Sequence, residues 1–129
     1  MKYFGEVDNN IMVLNEAGLM IDKIWSEIAL RFSFIEQYES IVMPNHFHTI
    51  IEITDKTDMV LGDMIGAFKS LTTNAYIKGV HQKNWIPFEK RLWQRNYYEH
   101  VIRNEASYIS LTEYIDNNPF KWKEDTFYV

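Results

Sequence analysis

The sequence predicts an α+β fold in which helices pack against one face of an antiparallel sheet. One observation leads to this fold class, and a second indicates the number of domains. Stretches whose apolar residues recur at helical spacing alternate with short stretches rich in β-branched and aromatic residues. The 129 residues also contain no repeat, low-complexity run or linker rich in Pro, Gly and Ser, so we expect a single domain over residues 1–129.

A strand followed by a helix is predicted near the N-terminus. Residues 11–14 form a short apolar run that is typical of a strand, and Asn15 directly after it is a suitable helix N-cap. Apolar side chains then recur at roughly helical spacing over residues 16–30, which predicts a helix despite Gly18.

A hairpin and a second helix are predicted in the middle of the chain. Residues 33–43 and 47–53 are rich in β-branched and aromatic side chains, and the Pro44-Asn45 bend between them predicts a hairpin turn. A helical pattern covers residues 61–79, and Gly79 is expected to close that helix.

The C-terminal third is predicted to contain one strand and one helix. Apolar and polar residues alternate over residues 91–102, which is typical of an extended segment. Asn104 is a suitable cap for a helix that reaches about Asn117, because the residue before Pro119 is biased out of the helical region.

The composition excludes several kinds of site. Because the chain has no Cys, any catalysis or metal binding depends on His, carboxylate, amide or hydroxyl groups. The apolar runs are too short for a membrane span, and no basic stretch followed by an apolar segment marks a secretory signal. We therefore expect a cytoplasmic protein with no membrane partner.

The charge is unevenly distributed along the chain. The formal net charge of −5 argues by itself against nucleic acid as a partner, because neutralising phosphates requires Lys and Arg. Residues 1–68 hold four basic and eleven acidic residues, whereas residues 69–104 hold seven basic and two acidic ones. The second segment also contains several aromatic residues, a mixture used by proteins that bind single-stranded nucleic acid. A solvated basic face above aromatic core residues fits the same pattern.

His46 and His48 form a candidate metal-binding pair. In an extended chain these two positions point to one face of the strand, whereas Phe47 points to the other. Two imidazoles on one face can chelate a divalent ion. Such pairs also occur by chance on surface strands, and a core histidine can simply be hydrogen-bonded.

Tyr114 and Asn118 form a second candidate pair. Their four-residue spacing places them on one face of the predicted C-terminal helix, one turn apart. A tyrosine hydroxyl is a poor nucleophile near neutral pH, but a nearby divalent ion and a general base can make it competent, and an amide oxygen is a suitable ligand for such an ion. In the structural alternative, Tyr114 is a half-buried helix aromatic and Asn118 caps the helix before Pro119.

Four sequence strings together indicate a family. They occur in the order VMPNHFH at 42–48, LGDMIGAFKS at 61–70, LWQRNYYEHVIRNE at 92–105 and EYIDNNP at 113–119. In this order and at these spacings they closely resemble the single-tyrosine HUH transposases. The branch that they resemble most is the REP-associated tyrosine transposases, which are relatives of the insertion sequence 200-like enzymes.

The resemblance implies a fold and an activity. The fold would be a ferredoxin-like α/β sandwich that binds single-stranded DNA, often as a hairpin, and the activity would be cleavage of one phosphodiester for DNA transposition. His46 and His48 would bind magnesium or manganese, and Asn118 corresponds to the position of a third metal ligand. Tyr114 would be the nucleophile that forms a 5′-phosphotyrosine link and releases a free 3′ hydroxyl.

A further set of residues is suggested for contact with DNA. From their charge and location, Lys69, Arg95 and Arg103 are candidates for phosphate contacts. Trp93 and Tyr97 are candidates for stacking on bases, or for packing beneath the site. Members of the family act as dimers or as monomers, so a homodimer is one expected arrangement.

The chain departs from the family pattern at its start and in its net charge. Relatives usually carry an extra strand ahead of the position that matches Phe4, which here lies close to Met1. That strand would lie beside the histidine strand, so we expect its place to be filled by residues 91–102 or by a partner chain, unless the true start lies upstream.

Two other functions remain open at this point. A truncated, catalytically inactive relative that binds nucleic acid or associates with itself would keep the fold and the motifs without cleaving DNA. A phosphodiesterase in which a histidine-bound metal activates water would cleave DNA without using Tyr114 as a nucleophile.

Overall fold

The computed structural model describes most of the chain and confirms the α+β fold. The described residues are 2–32, 35–53, 61–93, Glu113, Ile115 and Pro119. Their elements are β1 (Gly5–Asp8), β2 (Ile11–Leu14), α1 (Glu16–Arg31), β3 (Ile35–Val42), β4 (Phe47–Ile53) and α2 (Leu61–Lys83). The strands form two antiparallel hairpins, β1–β2 and β3–β4, and the arrangement is consistent with a ferredoxin-like sandwich.

The β1–β2 hairpin contains a strand that the sequence does not predict. β1 has the sequence GEVD, in which Val7 is the only β-branched residue and no residue is aromatic, so the composition gives little indication of a strand. Its pairing with β2 depends on the turn at Asn9 and Asn10, whose φ angles of 50° and 64° are both left-handed. Two successive left-handed residues give the turn that matches the twist of a hairpin, and Asn tolerates this conformation.

Helix α1 begins and ends almost where the sequence predicts. The side chain of Asn15 accepts a hydrogen bond from the backbone N–H of Gly18 at 2.9 Å, which confirms the predicted N-cap. A Cβ at Gly18 would overlap the carbonyl oxygen of Phe4, so only glycine allows this close approach of the N-terminal segment to α1.

The β3–β4 hairpin confirms the predicted strand pair and its turn. Val42 pairs with Phe47, and the backbone N–H of Met43 donates to the carbonyl of His46 at 2.9 Å. Pro44 and Asn45 therefore form the turn between the strands. The register shifts between Gln37 and Ser40, which marks a bulge in β3.

The prediction that Gly79 closes the second helix is wrong, because α2 continues to Lys83. Asn84, with a left-handed φ of 58°, follows the last helical residue. A Cβ at Gly79 would overlap the indole ring of Trp85, and the N–H of Trp85 donates to the carbonyl of Gly79 at 3.2 Å. Gly79 therefore accommodates an aromatic ring that packs back on the helix.

The prediction of a strand over residues 91–102 is wrong at its start, because residues 91–93 lie outside any strand. Trp93 packs into the core here, which replaces the extended alternation that the sequence suggests. Residues 94–102 lie outside the described part of the chain. Glu113 and Ile115 are helical, as predicted for the C-terminal helix, whereas its proposed ends at Asn104 and Asn117 lie outside the described residues.

The N-terminal segment reaches the turn of the β3–β4 hairpin. The backbone N–H of Phe4 donates to the carbonyl of Pro44 at 2.9 Å, and the carbonyl of Phe4 accepts from the N–H of Asn15 at 3.0 Å. The expectation that residues 91–102 fill the place of a missing first strand is thus not met at residues 91–93. Pairing with a partner chain stays a prediction.

The main core lies between the two helices and one face of the β3–β4 hairpin. Helix α1 packs against α2 and β3. The ring centroid of Phe68 on α2 lies 5.5 Å from that of Trp25 on α1 and 5.2 Å from that of Phe47 on β4. Phe4 is fully buried and its ring centroid lies 5.2 Å from that of Trp93. Within the ranges that the structure describes, no helix is both long and apolar enough to cross a membrane.

Candidate metal and DNA-binding site

His46 and His48 come together at the start of β4. Their Nε2 atoms are 3.0 Å apart, and their ring centroids are 4.7 Å apart with the ring planes nearly perpendicular at 88°. His46 is buried, with 6% of its surface exposed, and His48 is half-buried. The structure therefore places both imidazoles on the same side of the strand, as the alternation of an extended chain predicts.

Phe47 occupies the opposite side of the strand, as the sequence predicts. Its ring centroid lies 5.4 Å from that of Trp25, and the two planes meet at 60°. Buried aromatic packing of this kind contributes to stability beyond the area that it removes from water. Phe47 lies between the two histidines in the sequence and packs against the core. A twist of the backbone at this point would therefore displace side chains on both faces of β4.

The side chain of Asn45 contacts Nδ1, the second ring nitrogen of His46. The Nδ1 of His46 lies 2.9 Å from Oδ1 of Asn45, and because the amide oxygen can only accept, this contact is a hydrogen bond when Nδ1 carries the proton. In that tautomer a neutral imidazole keeps a lone pair on Nε2, which can accept from Nε2–H of His48 at 3.0 Å. Sequence reasoning treats Asn45 only as a turn residue, although its position next to the histidine pair is a signal for this role.

The turn that presents the histidines is fixed by its surroundings. Met43 is 0% exposed, and Pro44 is also fully buried. The carbonyl of Pro44 accepts from Phe4, and the N–H of Met43 donates to His46 across the turn. A buried turn with its backbone groups paired has little freedom, so the histidine rings extend from a rigid support.

The donor chemistry of this pair fits a divalent metal ion. In the octahedral geometry that magnesium prefers, two adjacent ligands at roughly 2.1 Å from the ion and at a right angle lie about 3 Å apart. The two Nε2 atoms have this separation. For both to act as ligands, His48 has to carry its proton on Nδ1. Across the described residues, no group of three His, Asp or Glu side chains could hold a metal, and Asn118 lies outside them.

The structure describes two of the five predicted DNA-contact residues. Lys69 lies half-buried on α2. Trp93 is partly buried, its ring centroid lies 5.7 Å from that of Phe68, and its Nε1–H donates to Oγ1 of Thr72 at 2.9 Å. Trp93 therefore packs against the core, and its stacking on DNA or packing beneath the site stays a prediction. The other three, and the predicted nucleophile, lie outside the described residues: Arg95, Tyr97, Arg103 and Tyr114.

Several cations of the basic segment are exposed in the described part of the chain. Lys78, Lys90 and Arg91 lie at the surface. Lys83 is also exposed and forms an ion pair with Glu16, in which Nζ and Oε2 are 3.6 Å apart. These positions keep the basic segment available to an anionic partner, although exposed charges on their own carry little specificity.

Two described tyrosines are poorer nucleophiles than an ordinary tyrosine. A hydrogen bond from the hydroxyl of Tyr38 to Glu52 at 2.9 Å, with burial and the charges of Glu52 and Glu36 adding to it, raises the pKa of Tyr38 to about 12. Burial, chiefly, raises the pKa of Tyr76 to about 12, and its hydroxyl donates to the carbonyl of Ile86 at 2.6 Å. A higher pKa makes the phenolate harder to form, so neither of these two hydroxyls is well suited to act as a nucleophile.

Comparison with known proteins identifies the family. Residues 10–118 match the model of the family described as "Transposase IS200 like". This chain belongs to the IS200-like transposase family. Membership supports a DNA-processing enzyme, a transposase, with DNA as its partner.

A relative in Haemophilus influenzae (strain ATCC 51907 / DSM 11121 / KW20 / Rd) is described only as an uncharacterised protein. It is 35% identical to this chain over 146 residues, and the match covers 98% of this chain and 77% of the relative. No solved structure matches the chain.

Proposed function

We propose that this chain is a metal-dependent endonuclease and strand transferase for single-stranded DNA, of the single-tyrosine HUH type and the REP-associated branch. Its substrate is DNA that forms a hairpin. His46 and His48 hold a magnesium or manganese ion, Asn118 completes the ligand set, and Tyr114 is the nucleophile. The bound ion would supply stabilisation of negative charge on the phosphate that is cleaved.

Cleavage by Tyr114 would need no reactant other than the DNA. The hydroxyl of Tyr114 loses its proton, and its oxygen forms a bond to phosphorus while the bond from phosphorus to the 3′ oxygen breaks. The 3′ oxygen takes up a proton and becomes a free 3′ hydroxyl, while the 5′ phosphate stays linked to Tyr114. Because the link preserves a phosphodiester, a second 3′ hydroxyl can reverse the reaction and join a new strand.

The observation that carries this proposal is the 3.0 Å distance between Nε2 of His46 and Nε2 of His48 in a member of a transposase family. A histidine that only stabilises a core needs one partner, and Asn45 already provides one for His46. The convergence of two ring nitrogens beside a buried turn supports a shared ion, because both can turn a lone pair toward the same point.

The proposal is tested by mixing the purified protein with labelled hairpin-bearing single-stranded DNA and manganese, and then separating the products on a denaturing gel. We expect a slowly migrating protein–DNA adduct, together with a cleaved strand that ends in a 3′ hydroxyl. The adduct should disappear in Tyr114→Phe, because phenylalanine has no nucleophilic oxygen, and should be lost or strongly reduced in His46→Ala.

Matched variants show whether those losses are specific. Tyr38→Phe removes another tyrosine hydroxyl, and His81→Ala removes an exposed histidine on α2, so both should keep the adduct. Cleavage that persists in Tyr114→Phe would instead indicate a phosphodiesterase that uses water. Binding of DNA without cleavage across a broad oligonucleotide pool would overturn the proposal in favour of an inactive binding relative.

A further inference from the structure

We propose that Asn45 is a positioning residue for the metal site: its Oδ1 holds His46 as the Nδ1–H tautomer, so that the Nε2 lone pair points toward His48. This inference rests on the proposed function, because it assigns a role within the same site. It adds a residue that touches neither metal nor DNA and acts through His46.

The argument starts from the hydrogen bond between Asn45 and His46. The distance from Nδ1 to Oδ1 is 2.9 Å, which is an ordinary length for an N–H donor and a carbonyl acceptor. In the other neutral tautomer, Nδ1 would carry a lone pair that faces the lone pairs of Oδ1 at this distance. Two acceptors in contact repel each other, so the arrangement selects the tautomer with its proton on Nδ1.

Burial makes this selection matter. Only 6% of the surface of His46 is exposed, so water cannot readily take over the role of the amide oxygen. An imidazole with its proton on Nε2 would direct that proton, rather than a lone pair, at the point between the two histidines. A metal ion requires the lone pair, so the wrong tautomer would have to be converted before an ion could bind.

The backbone fixes Asn45 before any ion is present. Pro44, its neighbour, is fully buried and accepts a hydrogen bond from Phe4, while Met43 and His46 are hydrogen-bonded across the turn. The amide of Asn45 thus extends from a constrained position. Partners of this kind orient metal-ligating histidines and raise affinity by preorganisation, and their loss typically lowers metal affinity by roughly 10- to 100-fold.

The experiment reads the tautomer directly. Long-range ¹⁵N–¹H NMR spectra of the metal-free protein distinguish a protonated ring nitrogen from an unprotonated one at His46. We expect a proton on Nδ1 and a lone pair on Nε2 in the unmodified protein, and a mixture of tautomers in Asn45→Ala. Asn45→Asp keeps an oxygen acceptor at this position, so it should restore the Nδ1–H tautomer.

Manganese binding, measured by calorimetry without DNA, gives the second readout. Asn45→Ala should bind manganese roughly 10- to 100-fold more weakly, and Asn45→Asp should bind it at least as tightly as the unmodified protein. A proton on Nε2 of His46 in the unmodified protein would overturn the inference whatever the variants do. An Nδ1–H tautomer and a manganese affinity that both survive in Asn45→Ala would overturn it as well.

The outcomes also separate this inference from the proposed function. If the unmodified protein forms no DNA adduct but the tautomer and the manganese affinity follow Asn45 as expected, the function fails and the positioning role stands. If the adduct forms and Asn45→Ala changes neither the tautomer nor the affinity, the function stands and the positioning role fails. His81→Ala serves as the control for both readouts, because His81 is exposed on α2.

Discussion

The β1–β2 hairpin turns through Asn9 and Asn10, whereas the β3–β4 hairpin turns through Pro44 and Asn45. In the first turn both residues are left-handed and exposed, so the backbone conformation of asparagine alone explains its presence. In the second turn Pro44 is buried, and the side chain of Asn45 is hydrogen-bonded to His46. Asparagine thus has a backbone role in one turn and a side-chain role in the other.

The two turns also differ in how firmly the rest of the protein holds them. The first turn has no described hydrogen bond that ties it to another element, and the strand that follows it exposes 65% of Ile11 and 55% of Val13. The second turn is tied to Phe4 and presents two converging imidazoles. A turn held by distant residues is a suitable place for side chains whose positions must be accurate.

Truncating the ring that anchors the segment hydrogen-bonded to the second turn should have the largest effect on stability. Phe4 is 0% exposed, and its ring contacts Tyr3, Tyr76 and Trp93. Phe4→Ala leaves a cavity in this aromatic cluster, so we expect the free energy of unfolding to fall by about 3–5 kcal/mol. Urea denaturation followed by tryptophan fluorescence measures this change.

The matched variant for this prediction lies near the first turn. Val13→Ala removes a side chain that is 55% exposed, so its effect should stay below about 1 kcal/mol. Equal losses in the two variants would show that the two hairpins are supported alike, which would contradict the comparison.

Replacing asparagine by glycine should change the free energy of unfolding in opposite directions in the two turns. Asn10 has a φ of 64°, a conformation that glycine adopts without strain, so Asn10→Gly should raise the free energy of unfolding by about 0.5 kcal/mol. Asn45 does not have a positive φ and loses its bond to His46 in Asn45→Gly, so that variant should be destabilised by roughly 1 kcal/mol. Thermal unfolding of the two variants side by side checks the signs, and a shared sign would refute the distinction between the turns.

Tyr38, in the strands that lead to the second turn, should give the smallest effect. Its hydroxyl donates to Glu52, and Glu36 pairs with Glu52 across the strands. Because the pKa of Tyr38 is raised to about 12, its contribution to stability is fully present below about pH 10, the pKa of an unperturbed tyrosine, and is lost as the pH rises toward 12.

The measurement for this prediction compares Tyr38→Phe with the unmodified protein across alkaline pH. The variant should have a slightly lower urea midpoint below pH 10, and the two midpoints should converge as the pH approaches 12. An absorbance titration should also show one fewer tyrosine ionising near pH 12 in the variant. A midpoint difference that stays constant across this range would show that the carboxylate partner does not control the hydroxyl.

The sequence predicts the features that depend on local patterns. The period of apolar residues and the cap at Asn15 predict α1 to within one residue of its end at Arg31. The alternation of an extended chain predicts that His46 and His48 share a face, and the structure brings their Nε2 atoms together. Both predictions rest on neighbours in the chain, which a single sequence displays directly.

The remaining features depend on contacts between distant residues. Gly79 looks like a helix end, but it lies inside α2 because the ring of Trp85 packs against it. Trp93 looks like part of a strand, but its indole N–H donates a hydrogen bond to Thr72 in the core. No local pattern reports these contacts. The role of Tyr114 and Asn118 stays a prediction, since both lie outside the described residues.

The hydrogen bond from Phe4 to Pro44 has a consequence for the order of assembly. The β3–β4 hairpin joins neighbouring segments, so its ends meet at a small loss of chain entropy. Bringing Phe4 under the turn instead closes a loop that contains β1, β2, α1 and β3. Contacts between such distant positions form late, because the chain loses the entropy of closing the loop before the contacts add any stability. We therefore expect the histidine pair to reach its final arrangement only once the N-terminal half has folded, so metal affinity during refolding should lag behind helix formation.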